Sequence, residues 1–249
     1  ISDASGETLA QLAEHLGYDA ISERPGVEPS FWKPGFFRLF VTHLAKDRAL
    51  ATTLQERLET FGISAFVAHK DIAPTAEWQD EILLALNTTD ALVALLTPGF
   101  HESSWTDQEV GFVMGRGLLT VAVTLGETPY GFIGRLQAFS GTGKSEQALA
   151  TEIFEAFVKN KQTKRRMASA VLTLFEQSYS FQVAKRNVAL LEQIDYWEPQ
   201  FEERIRRAIA DNGQVRDSFG VPNRAYSVIR KWAPTKDDDA VQIEEIPFE

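Results

Sequence analysis

The chain has 249 residues and a formal net charge of −10 at pH 7, because 35 Asp and Glu outnumber 25 Lys and Arg. This acidic balance argues against nucleic acid as a partner, since its phosphates would repel the protein. The sequence contains no Cys, which excludes disulfides, iron–sulfur clusters and thiol nucleophiles. The four His are scattered along the chain, so no metal site is predicted.

The hydrophobic pattern divides the chain into three parts. Residues 1–33 predict an N-terminal helical extension, and residues 34–160 alternate strand-like and helix-like patterns. Residues 161–249 predict a helical C-terminal region with an acidic tail. No apolar run reaches the roughly 18 residues of a membrane span, and the polar start lacks the features of a signal peptide. We therefore expect a cytoplasmic protein with no membrane partner.

The middle part predicts a doubly wound α/β domain. Apolar runs predict strands at residues 36–41, 63–67, 91–96 and 118–125. Helical spacing predicts helices at residues 47–60, 77–87, 105–114 and 146–159. Strands that are apolar throughout are buried on both faces, and their alternation with helices is typical of a parallel sheet. Ligands of such sheets bind at the carboxyl ends of the strands.

A Trp and a Glu mark the start of the third predicted helix. Trp105 and Glu109 are four residues apart and therefore share a helix face, and Ser104 is a candidate N-cap. A carboxyl group one turn from an indole ring can be presented to a ligand. The alternative interpretation is that Trp105 anchors the core and Glu109 is a solvated charge.

Several short motifs occur in the order that a known family shows. They are Phe40-Val41-Thr42-His43, Asp47, Gly62-Ile63-Ser64-Ala65-Phe66, Asp71-Ile72-Ala73-Pro74, Leu96-Thr97-Pro98-Gly99-Phe100 and Trp105-x-x-x-Glu109. In this order the stretch from about residue 36 to 160 resembles a TIR (Toll/interleukin-1 receptor) domain. The resemblance implies a flavodoxin-like fold, with a parallel sheet and helices on both faces.

The resemblance also implies an activity and its residues. Many bacterial TIR domains cleave NAD⁺ at the nicotinamide–ribose bond, often in anti-phage defence, and NAD⁺ is then the substrate and no cofactor is needed. By resemblance Glu109 is the catalytic residue, and Trp78 and Trp105 offer flat walls to the substrate rings. The loop after the first strand, Thr42, His43 and Leu44, lines the site. Leu44 departs from the family, which often has Arg or another polar residue there.

The resemblance leaves partners and alternatives open. Self-association through the TIR domain and the helical region is expected, and a partner effector protein is possible by the same resemblance. A non-enzymatic interaction module that uses residues 71–74, and a nucleoside or nucleotide hydrolase or transferase, are the alternative functions. The product is either ADP-ribose or a cyclic isomer.

Two further patterns favour structural interpretations. Residues 138–145 nearly match a phosphate-binding P-loop, but residues 135–138 make a poor strand, so we expect a Gly-rich turn with Ser145 capping the next helix. Basic residues gather at 159–166 and 204–207. A charged helix face is usually solvated, and the alternative is a surface for a partner, a nucleotide or the acidic tail.

Overall fold

The computed structural model describes residues 29–68, 76–136 and 138–232, with only the backbone for residues 76–78. The strands are β1 (Phe37–Thr42), β2 (Ile63–Val67), β3 (Ala91–Leu96), β4 (Leu119–Thr124) and β5 (Ala138–Ser140). The helices between them are α1 (Arg48–Glu59), α2 (Ala76–Thr88), α3 (Ser104–Gly115) and α4 (Glu146–Lys159). The C-terminal helices are α5 (Lys164–Glu176), α6 (Phe181–Leu191), α7 (Pro199–Asp211), α8 (Gly213–Arg216) and α9 (Val221–Trp232).

The sheet is parallel throughout. Within the described residues it has five strands in the order β2-β1-β3-β4-β5. The predicted flavodoxin-like α/β fold is therefore confirmed, as is the mainly helical C-terminal region. None of the described helices is long and apolar enough to cross a membrane.

The last strand corrects the sequence prediction. We expected the strands to end at residue 125, but Ala138–Ser140 adds a short edge strand in which Phe139 pairs with Val123 of β4. An edge strand of three residues, two of them exposed, has no continuous apolar run. The hydrophobic pattern therefore contains no signal for it.

Alternation along β1 divides its side chains between two layers. Phe37, Leu39 and Val41 pack into the core that α1 and α4 cover, whereas Phe40 packs into the core that α2 and α3 cover. Because successive side chains of a strand point to opposite faces, Thr42 follows Phe40 toward α2 and α3. The residue that ends β1 therefore lies on the same face as α3.

The C-terminal helices share a core with the α/β part. Buried residues of α5 such as Val171 and Phe175 belong to the same hydrophobic cluster as α1, α4 and one face of the sheet. Gly62 lies so close to α5 that an added Cβ would be 3.2 Å from the carbonyl oxygen of Ala170. Residue 160 therefore separates two sequence patterns that build one continuous core.

Residues just before β1 also pack on the domain. Trp32 is buried beside Phe66, and its indole N–H donates to the hydroxyl of Thr88 at 2.8 Å. The helix predicted within residues 1–28 lies outside the described residues.

The helix ends confirm one predicted cap and correct another. Ser145 accepts a hydrogen bond from the Ala148 N–H at the start of α4, as predicted. The N-cap position of α3 is Ser103 rather than Ser104, and its side chain makes no capping hydrogen bond. The start of α3 is instead held by Thr106, whose hydroxyl donates to the carbonyl of Phe100 at 2.8 Å.

We expect Gly62→Ala to destabilise the fold by about 2–3 kcal/mol. The φ of Gly62 is +78°, which costs an L-residue about 1–2 kcal/mol, and the new methyl group would also press on the Ala170 carbonyl. Gly143→Ala is the matched control, since its φ is +76° but no atom lies within 4 Å of the added Cβ. Urea unfolding measures both variants. Equal losses would contradict the close packing of α5 on the Gly62 turn.

Candidate active site

The candidate site lies where the direction of the chain connections changes. From β1 the chain continues to β2 on one side, whereas from β3 it continues to β4 on the other side, and β1 and β3 are neighbours. In open α/β sheets, ligands bind at the carboxyl edge at this switch point. Thr42 ends β1 there, and the loop after β3 leads into α3, which carries Glu109.

A hydrogen bond joins the end of β1 to α3. The hydroxyl of Thr42 donates to Oε2 of Glu109 at 2.5 Å. Thr42 is 1% exposed and Glu109 is 4% exposed, so the bond is shielded from water. Glu109 is thus not the solvated charge that the alternative interpretation expects, and its carboxyl group is held in one orientation.

The next two residues continue the site along the loop. His43 is buried, and its Nδ1–H donates to the carbonyl of Leu44 at 2.8 Å. Leu44 is partly exposed, and its carbonyl also accepts from the Asp47 N–H. The loop after β1 is thus ordered by local hydrogen bonds, and His43 is not the surface side chain that a loop position usually implies.

Two further hydrogen bonds join the loop after β1 to the loop after β3. Thr97 donates its hydroxyl to Oδ2 of Asp47 at 2.5 Å, and Lys46 donates from Nζ to the carbonyl of Pro98 at 2.5 Å. Asp47 occupies the N-cap position of α1, but its side chain makes no capping bond. It binds Thr97 instead, and this contact fixes the spacing of the two loops.

The aromatic residues of the predicted site are described only in part. Trp105 is partly buried and lies one turn before Glu109 on α3, as the spacing predicts. The backbone of Trp78 belongs to α2, but its side chain lies outside the described part of the structure. Residues 71–74, which the adaptor alternative uses, are also outside it.

A polar cluster beside α3 was missed by sequence reasoning. The phenol of Tyr130 donates to Asp107 in the first turn of α3, and His101 lies edge-on to the Tyr130 ring. Burial raises the pKa of Tyr130 far above its usual value, and the hydrogen bond to Asp107 adds to this effect. The cluster joins the β4–β5 connection to the helix of Glu109. No local pattern links residues this far apart in sequence.

The Gly-rich turn does not have the contacts of a phosphate-binding loop. Lys144, which would bind phosphates in a P-loop, pairs with Glu152 of α4 at 2.5 Å, and the hydroxyl of Ser145 caps α4. Both side chains already have structural partners. The structure therefore supports the turn interpretation.

The basic clusters are largely paired with acids of the same chain. The ion pairs are Arg166–Asp90, Lys164–Asp195, Arg165–Glu198, Arg204–Glu176, Arg206–Glu202 and Arg207–Glu203. The pairs of Arg166 and Arg204 join separate elements, and they help to hold α5 in place. In the described parts of the chain, no group of three or more His, Asp and Glu could hold a metal ion.

The sheet order, the helices on both faces and the site at the β1/β3 switch point define a flavodoxin-like α/β protein. Within that class, residues 39–154 match the sequence model of the TIR domain family. This part of the chain is a TIR domain. No curated protein matches the sequence.

We expect Asp47→Ala to destabilise the protein by about 1–2 kcal/mol, because it leaves the buried Thr97 hydroxyl without this acceptor. Asp47→Asn keeps an acceptor oxygen and should lose less than half as much. Urea unfolding of the two variants checks this. Equal losses would mean that the Thr97 contact does not contribute to stability.

Proposed function

We propose that this protein is a TIR-domain enzyme that cleaves NAD⁺ at the nicotinamide–ribose bond. The placement of Glu109 is the observation that carries the proposal. Its carboxyl group lies at the switch-point edge of the sheet, where such folds bind ligands, and the Thr42 hydroxyl orients it. The Trp-x-x-x-Glu spacing of TIR enzymes falls on α3, with Glu109 turned inward.

The chemistry requires a fixed negative charge beside the ribose. When the bond between ribose C1′ and the nicotinamide nitrogen breaks, its electron pair leaves with nicotinamide and neutralises the ring. Positive charge then develops on the ribose as an oxocarbenium ion. A preorganised carboxylate stabilises this charge in the transition state. Water adds to C1′ and releases a proton, giving ADP-ribose, or a nucleophile of the same molecule adds and gives a cyclic isomer.

Other residues have supporting roles in this proposal. Trp105 and Trp78 shield the reacting bond from water and offer stacking surfaces to the nicotinamide or adenine ring. His43 and Leu44 line the entrance beside the ribose. We place the reaction in the cytoplasm and in bacterial anti-phage signalling, with a partner effector protein as a recipient of the product; the resemblance to TIR enzymes supports this context.

The burial of Glu109 supports a resting form that self-association activates. At 4% exposure the carboxyl group is too covered to contact a ribose, so loops at this edge must move before the substrate binds. TIR domains generally self-associate. We therefore propose that contact between copies opens the site, and that turnover per protein molecule increases with protein concentration.

We expect Glu109→Gln to lower nicotinamide release by at least about 100-fold, because the amide carries no charge to stabilise the oxocarbenium ion. The measurement is incubation with NAD⁺ at low and high protein concentration, followed by chromatography and mass spectrometry. Glu155→Gln is the control, since Glu155 is exposed on α4 away from this edge, and it should keep full activity.

The same experiment separates the alternatives. Turnover of free nucleosides without turnover of NAD⁺ would favour the nucleoside hydrolase. No turnover at any concentration would contradict the proposal and favour the non-enzymatic module. A product that is lighter than ADP-ribose by one water would identify the cyclase.

We expect Thr42→Val to lower kcat by about 10–100-fold with little change in KM, because it releases the carboxyl group from its orientation without removing it. Thr42→Ser keeps the hydroxyl and should restore most of the turnover. Steady-state kinetics of the two variants separate positioning from binding. A rise in KM alone would show that Thr42 contacts the substrate, as the resemblance implies.

A further inference from the structure

An aromatic surface lies on the C-terminal helices. Tyr179 belongs to the connection from α5 to α6, Phe181 is the first residue of α6, and Phe219 belongs to the connection from α8 to α9. Their side chains are 79%, 50% and 94% exposed. Isolated apolar residues on a surface are normal, but three large rings on adjoining segments form a patch of a kind that marks interaction sites. We call Tyr179, Phe181 and Phe219 the aromatic patch.

Hydrogen bonds fix the backbone beneath the aromatic patch. The Ser218 hydroxyl donates to the carbonyl of Phe181 at 3.4 Å and so joins the two segments of the patch. Asn212, between α7 and α8, donates from Nδ2 to the carbonyl of Ser178 at 2.9 Å. Ser218 and Ser178 are buried although they lie next to exposed rings. The backbone under the patch is therefore preformed, which lowers the entropy cost of binding.

A cleft adjoins the aromatic patch. It has a volume of about 420 Å³ and lies between the residues before β1 and the helices α5 and α6. Tyr179 contributes to both the patch and the cleft wall, and Phe36, Leu174 and Val183 supply apolar lining. Projecting rings and a recess with a partly apolar lining thus occur side by side on one surface.

The charges around the cleft have both signs. Lys33 and Glu59 form an ion pair within the chain, and Arg186 and Glu56 add one further charge of each sign. A partner of one strong charge, such as a nucleic acid, would meet repulsion from half of these groups. In a twofold contact the same surface faces itself in the opposite direction, so Arg186 of one copy can face Glu56 of the other.

We propose that the aromatic patch and the adjoining cleft form a twofold interface between two copies of this chain. Phe219 of one copy enters the cleft of the other, and the reverse contact forms by symmetry. A large aromatic side chain buries roughly 150–250 Å² when it is fully covered, so at their exposed fractions the rings of two patches supply about 700–1,100 Å². Together with the cleft walls, this reaches the size of a specific interface. The proposal does not depend on the NAD⁺ reaction.

The test is the molar mass of the full chain in solution at low and high concentration, by light scattering after size exclusion and by sedimentation velocity. We expect a dimer for the native chain. Phe219→Asp places a charge at the centre of the contact and should raise the dimer Kd at least about 10-fold. Tyr179→Asp should also raise the dimer Kd. Because both side chains are exposed, the monomer of each variant should still fold.

The control is Phe132→Asp, which changes another exposed ring at the opposite edge of the sheet and should leave the dimer Kd unchanged. Circular dichroism checks that each variant is folded. A native chain that is monomeric at every concentration would overturn the proposal, because the patch would then serve a different partner. A dimer that both patch variants leave intact, or that Phe132→Asp alone disrupts, would also overturn it. None of these readouts requires enzyme turnover, so a failure here is distinct from a failure of the proposed function.

Discussion

The burial of both faces of the parallel sheet is the constraint on which the rest of the structure depends. β3 is apolar and buried at every position, so a layer of helices must cover each side. α2 and α3 cover one side. α1 and α4 cover the other side, and the helices from α5 onward extend the same core. The C-terminal helices therefore belong to the core that covers one face of the sheet.

The same alternation produces the candidate site at the end of β1. Thr42 follows Phe40 toward the layer that contains α3, and this places its hydroxyl against Glu109. Burying a carboxyl group costs several kcal/mol unless hydrogen bonds offset the loss of water. A solvated glutamate on the outer face of α3 would avoid that cost. The burial of Glu109 is therefore consistent with the catalytic role proposed for it.

The sequence predicts what depends on local pattern and misses what depends on contacts between distant residues. The apolar strands β1 to β4 and the long helices follow from their periodicity, and Ser145 follows from capping chemistry. The side chain of Asp47 matches the cap pattern equally well, but Thr97 binds it instead. The pairing of Thr42 with Glu109 requires knowing that α3 packs over β1, which strand order decides. The contact between Tyr130 and Asp107 could not be predicted either, because the β4–β5 connection has no periodic hydrophobic pattern.

The two proposed functional surfaces lie at opposite edges of the sheet. Glu109 lies at the carboxyl edge, whereas the cleft beside Tyr179 includes residues that precede β1 at the amino edge. A dimer formed through the aromatic patch leaves both carboxyl edges open, so it cannot place a residue of one copy beside Glu109 of the other. Opening of the buried site must then come from a second contact, between TIR domains. The helical dimer would contribute by raising the local concentration of TIR domains, which makes that second contact effectively intramolecular.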